Sequence, residues 1–329
     1  MDFQFSTSKA KLFLIGFFVS ALFFLGANFI YQTSGDYFLA KALDKNPLKI
    51  NPKLFSASIE SQTNDFKLNN CEIDQLKAKS YLSVLVDQEG KSQVLFEKQP
   101  SLKLPIASVV KLLSAVVAKE FYADAEKIKI SSKAVSQLET TGNLRTGEWL
   151  SKDELLKIML IESSNDAAFA LSELTGGSGF VGLMNLKAEE IGMKSSIFFN
   201  PTGLDPEDTN SPLNEINLST ADDLALLLKN ILQNHFDILR ITSNQELNLY
   251  LENGSFHHTL QSTNELLATT PYIIGGKTGL TERALGCLVL VLKTNNPNEY
   301  IINVLLGSPN RFSEMEMLNN CSLKQVLGL

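Results

Sequence analysis

Two alternating runs, SYLSVLVD and SQVLFEK, flank Gly90 and predict a β-hairpin. The run that follows, LPIASVVKLLSAVVA, is apolar on nearly every side and predicts a central helix over Leu104–Tyr122. Ser151 and Glu154 have the capping-box spacing that opens the helical SKDELLKIMLIESS. Helices over Asp166–Thr175 and Phe180–Ile191 stop at Gly176–Gly177 and at Gly192, and Ser219 is placed to cap STADDLALLLKNIL. CLVLVLK and YIINVLLG return to strand, and a helix over Phe312–Val326 closes the pattern. Strands come from both ends of this region and helices from its middle. The expected class is therefore mixed α/β, one antiparallel sheet flanked by helices with a mostly helical subdomain.

Upstream the pattern changes. Leu12–Ile30 carries no charge and is long enough to cross a bilayer, with Lys9 and Lys11 before it. The positive-inside bias puts residues 1–11 in the cytoplasm, 12–30 in the cell membrane as a single-pass transmembrane anchor, and the rest outside. A cleaved signal peptide is the alternative, but Leu25 occupies a position where cleavage favours a small residue. Residues 31–79 are polar, without a sustained period, and read as a stalk leading to a domain over 80–329.

Composition narrows the partners. A hydrophobic fraction of 44% with 20% charged residues is that of a folded chain. The net charge of −7 has no basic cluster, which argues against nucleic acid. Three scattered cysteines make neither a zinc knuckle nor a CxxC site. Two of the three histidines are the adjacent His257 and His258, which an extended strand would point to opposite faces. No metal or other cofactor is expected.

The central helix raises the chemical question, because Lys111 interrupts an apolar run one turn after Ser108. One reading makes Ser108 an N-cap and sends Lys111 out to water. The other makes Ser108 a nucleophile and Lys111 its base, since apolar surroundings disfavour the ammonium. SxxK alone does not decide; it recurs at Ser6/Lys9 and Ser8/Lys11. Two further motifs follow in order, SSN at Ser163–Asn165 and KTG at Lys277–Gly279. SxN recurs elsewhere, at Ser262–Asn264 and Ser308–Asn310, whereas KTG occurs once.

With LPIASVVKLLSA, ESSNDAAFALSE, MNLKAEEIGMKSSIFFNPTGLD, LSTADDLALL, STNELL and GGKTGLTERALGCLVLVL in that order, the region from about Ser80 resembles the serine-type D-Ala-D-Ala carboxypeptidases. These are the low-molecular-mass penicillin-binding proteins of family S11. The resemblance implies that Ser108 is acylated, that Lys111 is its base, and that Ser163 relays the proton to the leaving D-alanine. It implies that Asn165 holds the substrate amide, that Lys277, Thr278 and Gly279 form the strand binding the terminal carboxylate, and that the backbone N–H groups of Ser108 and Leu280 make the oxyanion hole. The implied partners are peptidoglycan stem peptides, with β-lactams as inhibitors.

Thr202 and Leu285 depart from the family pattern, where histidine and glycine are usual, and Leu285 is expected to narrow the pocket beside the KTG strand. The β-rich second domain of many relatives is not expected, and the N-terminal helix would serve as anchor. Because the family fold sets the entry to the first strand beside the last helix, a Cys71–Cys321 disulfide is a further expectation in an oxidising compartment. Cys287 is expected in the core.

The alternatives are a D,D-endopeptidase using the same machinery, a class A-like β-lactamase, a zinc D,D-peptidase and a silent cell-wall-peptide-binding protein. The β-lactamase would need a glutamate that SSIFFNPTGLD lacks. Three histidines do not suit the zinc enzyme. The silent protein would be expected to have broken motifs.

Overall fold

The computed structural model describes residues 71–87, 90–123, 125–139, 141–206 and 215–328. Its strands are β1 (Ser80–Asp87), β2 (Ser92–Lys98), β3 (Leu104–Pro105), β4 (Lys127–Lys129), β5 (Trp149–Ser151), β6 (Leu218–Ser219), β7 (Glu246–Tyr250), β8 (Phe256–Gln261), β9 (Ile273–Thr281), β10 (Leu285–Lys293) and β11 (Glu299–Ser308). The helices are α1 (Lys111–Phe121), α2 (Lys152–Ile161), α3 (Asn165–Glu173), α4 (Ser178–Ile191), α5 (Ala221–Asn234), α6 (Phe236–Thr242) and α7 (Arg311–Leu327). β2-β1-β11-β10-β9 form one five-stranded sheet, antiparallel throughout. The mixed α/β class and the helical insertion between the two ends of the sheet are as expected.

β10 is apolar on both faces because both are covered. Cys287, Val289 and Val291 join the core that holds α1 and α2, while Leu288, Leu290 and Leu292 face a second core with Met315, Leu318 and Leu323 of α7. CLVLVLK therefore shows no polar alternation. Leu76 and Ala78 belong to the second core, so the compact unit reaches back past Ser80 into the segment read as stalk. Cys71 and Cys321 form a disulfide that ties this entry segment to α7, and Cys287 is a buried free thiol.

Three local expectations are corrected. The helix expected from Leu104 begins with β3, paired to β6, then a 3₁₀ turn at Ala107–Val110, and becomes α-helical only at Lys111. Pro105 disfavours helical backbone at Leu104, and Ala107 sits at φ +47°. Thr220 caps α5 in place of Ser219, its side chain accepting from Asp223 N. A bulge in β8 sets Leu249 opposite His258 and Tyr250 opposite Phe256, leaving His257 as the extra residue. The two histidines thereby meet, Nδ1 to Nδ1 at 2.5 Å, where regular strand would part them.

The run Leu12–Ile30 and residues 31–70 lie outside the described residues. No helix among the described residues is long and apolar enough to cross a membrane.

Candidate active site

The functional side chains come from the starts and ends of helices and from the interior of one strand. Ser108 lies in the 3₁₀ turn that leads into α1, and Lys111 is the first residue of α1. Ser163 follows the C-terminus of α2 at φ +63°, and Ser164 caps α3, accepting from Ala167 N at 3.2 Å. Asn165 opens α3. Lys277, Thr278, Gly279 and Leu280 lie on β9, an edge of the sheet.

These elements meet around a cleft of about 200 Å³ lined by Ser108, Ser163, Asn165, Thr278, Gly279 and Leu280, together with Glu139, Thr141, Glu162, Thr263 and Arg311. Behind it, Lys111 is fully buried and its Nζ lies 2.8 Å from Ser108 Oγ. The same nitrogen donates to Asn165 Oδ1 at 2.7 Å and to the Thr202 carbonyl at 2.5 Å. All three partners are neutral. Burial, and secondarily the charge of Lys277, hold the Lys111 amine well below the ordinary lysine range, against an opposing pull from Glu139. A lysine so placed loses its proton readily and is suited to take one from a hydroxyl.

Lys277, also buried, donates from Nζ to Ser163 Oγ at 2.8 Å and to the Thr278 carbonyl at 3.1 Å. Burial, with a smaller push from Arg311, lowers it to about 7. Two Ser–Lys pairs with the same 2.8 Å separation therefore flank the cleft.

Backbone geometry closes the arrangement. A Cβ on Gly279 would stand 2.8 Å from the Ile106 carbonyl and 3.3 Å from Ser108 N, so β9 can pass the nucleophile turn this closely only with glycine there. Gly203, at φ +87°, is packed on the same turn from the other side. Thr202 reaches the site through its carbonyl, while its hydroxyl donates to Asn200 Oδ1 at 3.0 Å and accepts from Leu204 N at 3.2 Å. Leu285, at φ +57°, lines a cleft of about 700 Å³ beside the KTG strand, together with Leu280 and Glu282.

Every residue singled out from the motifs is thus brought to one place. Glu139, Thr141, Thr263 and Arg311 were missed because they lie on segments that only the fold brings to the cleft, whereas Glu162 directly precedes Ser163 in the ESSNDAAFALSE run. For Thr263 a signal existed, since it lies within the STNELL run.

The D-alanyl-D-alanine carboxypeptidase family matches residues 67–310, most of the chain. The chain belongs to that family. Among curated relatives, the D-alanyl-D-alanine carboxypeptidase DacF of Bacillus subtilis is 34% identical over 222 residues, 65% of this chain and 54% of the relative. The chain thus spans about half the length of that relative. A D-alanyl-D-alanine endopeptidase of Pseudomonas aeruginosa is 28% identical over 72% of this chain and 75% of its own length. Among solved structures, penicillin-binding protein D2 of Listeria monocytogenes in its cefotaxime-bound form superposes with a TM-score of 0.63 at 26% identity, covering 75% of this chain and 97% of that one. A Mycobacterium tuberculosis D-alanyl-D-alanine carboxypeptidase shares the fold with a TM-score of 0.65 at 24% identity, covering 77% and 91%.

Proposed function

We propose that the chain is a penicillin-binding serine D,D-carboxypeptidase that removes the terminal D-alanine from peptidoglycan stem peptides. The observation that carries this is the buried Lys111 amine, 2.8 Å from Ser108 Oγ and, among the described residues, hydrogen-bonded to neutral oxygens. In the proposed reaction Ser108 Oγ attacks the carbonyl of the penultimate D-alanine as its proton passes to Lys111 Nζ. The N–H groups of Ser108 and Leu280 receive the developing oxyanion. The proton held by Lys111 is relayed through Ser163, paired with Lys277, to the departing D-alanine amine, so the peptide C–N bond breaks. Water then attacks the ester and restores Ser108. Asn165 holds the substrate amide. Lys277, Thr278 and Arg311 supply donors and positive charge for the terminal carboxylate.

A second reading, cleavage of cross-links by the same centre, is favoured by the Pseudomonas aeruginosa relative, whose name is endopeptidase and which is matched over 75% of its length. Incubation with a D-alanyl-D-alanine pentapeptide and with a cross-linked peptide dimer separates the two. Free D-alanine supports the carboxypeptidase and monomer release the endopeptidase. Neither product would remove both readings.

The domain is proposed to work outside the cytoplasm, held by a membrane anchor at residues 12–30. The charge-free run behind Lys9 and Lys11 supports the anchor, and the Cys71–Cys321 disulfide supports an oxidising compartment. If the full-length chain is released from membranes by alkaline carbonate, the anchor is wrong.

A further inference from the structure

The hairpin β7–β8 contributes no catalytic group, yet it touches both walls of the cleft. Near its turn, Glu252 N donates to Glu154 Oε1 at 2.9 Å, close to the start of α2. Beyond its other end, Thr263 N donates to the carbonyl of Ile161, the last residue of α2, at 3.3 Å. Between these points His258 Nε2 lies 3.0 Å from Oε2 of Glu162, the residue that precedes Ser163. The hairpin therefore runs along α2 and grips both of its ends.

Thr263 also reaches across. Its hydroxyl lies 2.6 Å from that of Thr278 on β9, so one residue holds the end of α2 with its amide and the KTG strand with its side chain. The His258 ring is itself fixed in orientation. The bulge presents His257 to its Nδ1, and His257 Nε2 lies 3.5 Å from Glu148. Both imidazoles are close to fully buried, at 8% and 11% exposure, so the contacts are shielded from water. Ser163 occupies a backbone region that residues other than glycine visit only when their surroundings hold them there.

We infer that the β7–β8 hairpin is a strap that sets the spacing of the two cleft walls, with His258 positioning Ser163 through Glu162 and Thr263 positioning Thr278. This rests on the proposed roles of Ser163 in proton transfer and Thr278 in carboxylate binding. It yields a division of labour. Loss of the histidine contact should slow bond making, whereas loss of the threonine hydroxyl should weaken binding.

The test is saturation kinetics of benzylpenicillin acylation, with melting temperatures, on His258→Ala, His258→Gln and Thr263→Val. His258→Ala is expected to lower the acylation rate constant about tenfold or more, as small displacements of a reacting group do, with the binding constant little changed. His258→Gln, whose amide can reach Glu162, should restore the rate. Thr263→Val should weaken binding and leave the rate constant near wild type. A merely structural role would lower the melting temperature and the fraction of acylatable protein but not the rate constant of the folded remainder. Wild-type rate constants in His258→Ala, or equal slowing in His258→Gln, would overturn the strap. Should wild type itself fail to acylate, the parent reading falls and the strap with it.

Discussion

Lys111 Nζ is 2.8 Å from Ser108 Oγ and 2.7 Å from Asn165 Oδ1, so one buried amine joins the nucleophile to the first residue of α3. Arginine could replace the charge and the donors but could not act as a base. Lys111→Arg is therefore expected to cut acylation by about two to four orders of magnitude, the usual worth of a positioned base. Stopped-flow or quenched labelling with a fluorescent penicillin checks this. Near-wild-type acylation would mean that another group takes the proton.

Lys277 links the site to stability. Burial lowers it to about 7 from an ordinary 10.5, so the unfolded chain binds a proton that the native state does not hold between those values. Native stability should consequently rise with pH across that window and be lost as pH falls toward 7. Lys277→Met removes this dependence. The stability difference between wild type and variant should move in favour of wild type by a few kcal/mol, order of magnitude, as pH rises from about 7 to 10. Denaturant titrations at several pH values measure it, and a flat difference would contradict the burial argument.

Gly203 is held by backbone on its far side. A Cβ there would stand 2.2 Å from the Ala107 carbonyl oxygen and 2.7 Å from Ser108 N, and φ is +87°. Gly203→Ala should shift the nucleophile turn and slow acylation about tenfold or more, with a smaller loss of melting temperature. Unchanged acylation would show that the turn yields without disturbing Ser108.

The Cys71–Cys321 bond closes a loop of sequence separation 250, and neither cysteine lines the Ser108 cleft. Replacing both cysteines with serine should cost about 2–4 kcal/mol of stability and leave the acylation rate constant unchanged. Thermal melts beside penicillin labelling distinguish this from a disulfide that shapes the site.

Much of this site was legible from the chain because its chemistry lies in short contiguous motifs whose order is itself informative. Ser108, Lys111, Ser163, Asn165 and Lys277 were named from spacing and resemblance, and the sheet from apolar runs at both ends. What escaped was set by tertiary contact. Pro105 and the positive φ of Ala107 replace the first helical turn with a strand pair and a 3₁₀ turn, which an all-apolar run does not reveal. The bulge that brings His257 and His258 together has no signature in an alternating strand. Arg311 reaches the cleft from the start of α7, and only sheet topology places that turn beside Ser163.

The most direct measurement is the intact mass of a residue 71–329 fragment over time after benzylpenicillin, beside Ser108→Ala. A persistent one-to-one adduct on wild type and none on the variant is the expected result. An adduct that forms and disappears quickly would instead indicate a β-lactamase. A folded fragment that never gains mass would contradict the activated serine.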